Sequence, residues 1–167
     1  MQKSVEETKE KMAEDVDKMN RRNNVIIYNV PESKAALFHE RMMEDKNYCL
    51  DLMKEVLHTG HEEGDIKKLV RLGKQAESGK PRPLLVEFCD GRVKNLVMEN
   101  VTRLAHATGV FKGVVIAHDM TKKEREQCKI LVEEAKKKQL DDESGEWVYK
   151  VRGSPGQMKI EKFKRMG

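Results

Sequence analysis

Aromatic side chains are scarce in this 167-residue chain, with one Trp, three Tyr and four Phe. A core made with so few rings must rest on aliphatic residues, and a surface that binds by stacking has few rings to offer. Cysteine is scarce as well. Cys49, Cys89 and Cys128 form no C-x-x-C pair, and an odd count argues against a disulfide framework, so a reducing intracellular compartment is expected. No apolar run approaches the ~20 residues of a membrane-spanning helix, and the first residues lack the apolar centre of a signal peptide. What the chain has in abundance is charge. Asp, Glu, Lys and Arg make up 37% of it against 38% apolar residues, yet the net charge is only +4. So small a balance identifies no partner, and the distribution of cations must carry the argument.

The stretch Arg21–Glu32, R-R-N-N-V-I-I-Y-N-V-P-E, organises the rest. Val25–Val30 is rich in β-branched and aromatic residues, and Asn and Pro bound it, which predicts a strand. Its continuous apolar run predicts a central position in a sheet. Alternation puts Val25 and Ile27 on one face, toward a core, and Ile26 and Tyr28 on the other, toward an open surface. Pro31 has no amide to give to a ladder and ends the strand.

Taken in order, residues 1–20 form a charged helix. Val5, Met12, Val16 and Met19 have the spacing of a coiled-coil seam, though a merely solvated helix fits as well. Glu32–Lys46 reads as a connection. From Met43 to Leu57, Cys49, Leu52, Met53, Val56 and Leu57 recur at helical spacing, and Gly60 is the expected C-terminal cap. Ile66–Leu72 is a second strand, Gly73–Pro83 a basic loop, and Leu84–Phe88 a third strand. Asp90 caps a second helix whose apolar face runs through Val93, Leu96, Val97, Val101, Leu104 and Ala105. Val114–Ala117 is a fourth strand. The βαββαβ order over residues 21–119 predicts an α+β fold, a four-stranded antiparallel sheet with two helices on one face and the other face open. Over 120–167, Thr121 and Glu124 have capping-box spacing and start a third helix. Trp147–Arg152 and Gln157–Phe163 then form a hairpin about Gly153-Ser-Pro-Gly156.

The βαββαβ order with an open face is similar to the ferredoxin-like RNA recognition motif. The further succession narrows it: a charged helix, R-R-N-N-V-I-I-Y-N-V-P-E, K-P-R-P-L-L-V-E-F, H-D-M-T-K-K-E-R and V-Y-K-V-R-G. Together these resemble the RNA-binding protein of the first open reading frame of LINE-class non-LTR retrotransposons. The resemblance implies a nucleic-acid chaperone in cytoplasmic, alternatively nuclear, ribonucleoprotein particles. It also implies a homotrimer through the amino-terminal helix, and single-stranded RNA, or single-stranded DNA, as the ligand.

The third strand departs from the usual stacking pattern, because Pro83 and Leu85 stand where aromatics belong. Tyr28 is the one stacking candidate on the first strand. Affinity must then come mainly from cations on phosphate, with weak sequence preference. Arg21 and Arg22 enter the sheet; Arg71 is on the second strand. Lys80 and Arg82 precede the third, and Arg92 and Lys94 start the second helix. Arg125 is early in the third helix, and Lys150 and Arg152 share one side of the hairpin. From Trp147 onward there are six Lys or Arg against one Glu. Singly, each is an ordinary solvated cation; together they outline a groove.

No catalytic residues, metal ligands or cofactors are expected. His58, His61 and Cys49 lack the paired spacing of a metal site, and no nucleophile elbow, phosphate loop or paired-carboxylate motif occurs. The alternatives are a protein–protein module that uses the open face (Ile26, Tyr28 and Leu85) with the amino-terminal helix, or a decayed or domesticated copy of an element.

Overall fold

The computed structural model describes residues 1–167, which divide into two compact units, Arg22–Asp119 and a second made of Met1–Arg21 with Met120–Gly167.

In the first unit, β1 (Asn24–Tyr28), β2 (Ile66–Arg71), β3 (Leu84–Phe88) and β4 (Val115–His118) form one antiparallel sheet in the order β2-β3-β1-β4. β1 is interior, as its unbroken apolar run requires. Val25 lies opposite Val86 and His118, and Ile27 opposite Leu84 and Ile116. Val25, Ile27, Leu84, Val86 and Phe88 are fully buried beneath the helical layer, together with Cys49, Leu52, Met53, Leu57 and Val97. The aliphatic core that few aromatics demand is therefore present, with Phe88 as its one fully buried ring.

Two helical boundaries differ from expectation. α2 spans Phe38–Asp51, so it begins inside the segment expected to be a connection. Its first turns leave Phe38, Met42 and Met43 exposed, and no apolar periodicity marks a face that nothing covers. The chain then winds into a π-helical segment, Leu52–Leu57, which buries Leu52, Met53 and Leu57. His58, not Gly60, closes this segment. It takes a left-handed conformation (φ 55°), and its amide donates to the Met53 carbonyl. The helix after Asp90 is also shorter than its apolar pattern suggests. α3 (Gly91–Glu99) stops at Asn100, and a 3-10 segment, Val101–His106, follows. Asp90 caps α3 by accepting from the amides of Arg92 and Val93.

In the second unit, α1 (Gln2–Arg21) buries none of its residues, and Val5, Met12, Val16 and Met19 stand in solvent. α4 (Lys122–Asp141) opens with the expected capping box: Thr121 accepts from the Glu124 amide while Glu124 accepts from the Thr121 amide. The Thr121 hydroxyl donates to Glu14 of α1 at 2.5 Å. β5 (Trp147–Arg152) and β6 (Lys159–Lys164) form a two-stranded antiparallel hairpin. Gln139 of α4 holds its first strand, donating to the Trp147 carbonyl and accepting from the Tyr149 amide. The turn needs Gly153: φ is +113°, and a Cβ there would stand 2.8 Å from the Gln157 carbonyl oxygen.

Candidate nucleic-acid interface

Register across the sheet defines the open face. Val70, Leu85, Ile26 and Ala117 stand in one row across all four strands. Val115 lies opposite Tyr28 in the next row, and Lys68, Glu87 and Asn24 form the row on the other side. The middle of the face is thus apolar. Tyr28 is 39% exposed at its end, the position alternation from Val25 assigns to it.

Beside Tyr28 the 73–83 loop and the start of β4 border a hollow of about 510 Å3. Tyr28, Val115 and Pro83 supply its apolar side, and Lys74, Lys80 and Arg82 its cations. Lys74 and Lys80 are exposed and hold no carboxylate. Arg82 is engaged instead: its guanidinium meets Glu32 at 2.7–2.8 Å, and its amide donates to the same carboxylate. Burial pushes the Glu32 carboxyl up, but the hydrogen bonds and charge of Arg82 outweigh that and hold it below the usual range.

Arg71 has another task. It shares a face with Leu69, as alternation requires, and that face is the one the helices cover. Its guanidinium forms a two-pronged pair with Asp45 of α2 (2.7 and 3.0 Å). It also donates to the carbonyls of Val30, Pro31 and Arg82. Five hydrogen bonds use up the donors of a guanidinium, and its side chain is only 8% exposed. Arg71 therefore ties three chain segments together. Lys94 is similarly drawn inward, 5% exposed, with Nζ 2.8 Å from His118 Nδ1. Burial first, and the Lys94 charge second, lower the His118 pKa to about 4, so the ring is neutral at pH 7.

The other predicted cations are not among the residues that line the hollow. Arg22 is exposed just before β1. Arg92 is 94% exposed at the start of α3, 3.5 Å from Asp90. In the second unit Arg21 pairs with Asp17 on its own helix at 2.7 Å. Arg125 is exposed and donates to the Met120 carbonyl. Lys150 and Arg152 are exposed on the same hairpin face, where the Arg152 guanidinium stands 5.9 Å from the Phe163 ring centre. The Trp147 ring is capped by Lys162 at 4.1 Å.

Of the residues expected to bind, Tyr28, Lys80 and Arg82 come together, and so do Lys150 and Arg152. Lys74 joins the first group although only its place in the basic loop pointed to it. Val70, Val115 and Ala117 belong to the open face, and only the register between strands distant in sequence could reveal that. No family model matches the chain, and no curated protein matches it.

Proposed function

We propose that this chain is a sequence-tolerant, single-stranded RNA-binding protein of retrotransposon type, with a ferredoxin-like RNA recognition motif at residues 22–119 and nucleic-acid chaperone activity. The strand order β2-β3-β1-β4 with one helix-covered face and one open face supports the fold reading. One observation carries the function: an exposed tyrosine at the end of the open face, bordering a hollow that Lys74, Lys80 and Arg82 line. A ring and unpaired ammonium groups side by side suit a base and its neighbouring phosphate. With one ring available, phosphate contacts provide most of the affinity, so sequence preference is weak.

Fluorescence anisotropy with a labelled single-stranded RNA across a salt series tests this. Log affinity falls linearly with log salt, and Lys80→Ala lowers the slope by about 0.7. Tyr28→Ala costs about 1–3 kcal/mol on several unrelated sequences alike. A flat salt response would remove the proposal.

One observation favours a second reading, a protein–protein module. The row Val70, Leu85, Ile26 and Ala117 is apolar across the whole sheet, and such patches mark interfaces. Ile26→Lys separates the two: it abolishes partner docking on this reading, and it leaves or improves RNA binding on the first.

A further inference from the structure

β2 is a terminal strand of the sheet, and its outer edge has an unusual neighbour. The Leu72 amide donates to the Pro83 carbonyl, so residues 70 and 72 pair inward, and alternation turns the backbone groups of Leu69 and Arg71 outward. Natural sheets blunt such an edge with short strands, charge, proline, a β-bulge or a covering element. β2 carries two lysines and a bulge between Ile66 and Lys68, and beyond the bulge its pairing is regular from Lys68 to Arg71. Here a hollow of about 430 Å3 runs alongside it, between β2 and α2. Met42 and Met43 of α2 face Ile66 and Leu69 of β2 across it. Met43 is 60% and Met42 39% exposed. A second hollow, of about 580 Å3, continues past the exposed Phe38 and shares Met42 and Leu69 with the first. All six residues of β2 line one or the other.

The charge of the first hollow has one sign. Lys46, Lys67 and Lys68 line it, and no carboxylate does. Lys46 and Lys67 each reach one carboxylate, Glu63 and Glu87, outside the lining, and Lys68 reaches none. Flexible methionines accept varied apolar side chains, and an open strand edge accepts an extended backbone.

We propose that this trough is a docking site for an extended acidic peptide, which pairs as a fifth strand along β2, sets alternate apolar side chains between Met42, Met43 and Leu69, and meets Lys46, Lys67 and Lys68 with carboxylates. A nucleic acid would use the same lysines but leave the strand edge and the methionines without partners. This site is separate from the Tyr28 hollow and does not depend on it.

The probe is a fluorescein-labelled, end-blocked hexapeptide that alternates Val or Leu with Glu or Asp, titrated into the full chain. Binding saturates. N-methylation of two alternate peptide amides, which deletes backbone donors and leaves the protein untouched, weakens it about tenfold or more. The double variant Lys67→Glu, Lys68→Glu, with unchanged far-ultraviolet circular dichroism, loses about tenfold for this probe and gains for the same peptide with Lys in place of its acids. Equal affinity of the methylated peptide overturns the proposal, as does failure to saturate at about 1 mM, the limit of a weak specific site. Displacement of the peptide by single-stranded RNA, with matching loss of RNA affinity in the double variant, overturns it in favour of a nucleic-acid groove. Tyr28→Ala leaves the peptide titration unchanged, so failure of the RNA reading and failure of this one are distinguishable.

Discussion

The two units solve the problem of order by different means. Arg22–Asp119 seals a continuous aliphatic core between a sheet and a helical layer, and nearly every fully buried side chain of the protein belongs to it. The unit of α1, α4 and the hairpin buries only Thr121, Glu124 and Ala135. Two of those three are the members of a capping box, so the polar groups at the start of α4 are among its best protected atoms. Burial of apolar area dominates in the first unit. The second combines half-buried apolar residues such as Leu131, Trp147 and Val148 with specific hydrogen bonds, Thr121 with Glu14 and Gln139 with the Trp147 and Tyr149 backbone. The first unit should resist exchange and proteolysis far better than the second.

That contrast can be broken from the core outward. Phe88→Ala empties the largest fully buried site and should cost about 3–5 kcal/mol, read as a fall in the denaturation midpoint of the sheet unit. Arg71→Ala should cost a similar amount, about 3–5 kcal/mol, because it strands Asp45 in the interior. Its nucleic-acid affinity, measured while folded, should stay near that of the parent.

Acid should act on the sheet unit in two windows. The folded-state pKa of His118 is depressed from 6.5 to about 4. Between those values the unfolded chain binds the proton and the folded one does not, so stability falls as pH drops through that window. His118→Gln should flatten this part of the profile. Glu32 is likewise lowered from 4.5. Its contribution is present above that value and is lost as pH falls through the folded pKa.

The smallest effect sharpens the contrast from the other side. Thr121→Ala removes a cap worth about 1 kcal/mol and the bond to Glu14. Hydrogen exchange should then quicken in α4 and leave β1 and β3 unchanged, since the caps and the core are independent supports.

Local chemistry made much of this legible in the sequence. Leu84–Phe88 is a strand in full, the Thr121–Glu124 box starts α4, and Asp90 caps α3, because each depends on neighbours a few residues away. Alternation from Val25 likewise placed Tyr28 on the open face. The early turns of α2 are not legible, because their apolar residues Phe38, Met42 and Met43 stay exposed and set up no periodic buried face. Nor is the closing role of His58, because a left-handed histidine has no distinct signature.

Pairs remote in the chain were beyond reach of any such reading. Nothing local to Arg71 announces Asp45, which lies 26 residues away, and Arg82 and Glu32 are 50 apart. A cation counted from sequence is a candidate ligand for phosphate; whether its charge is still available depends on which carboxylate the fold delivers to it. The pattern of strands, caps and turns follows from short-range sterics and hydrogen bonding, and the chain carried that by itself. Which cations remain free, which apolar residues line up across four strands, and that β2 lies open at the sheet edge were decided only when distant segments came together.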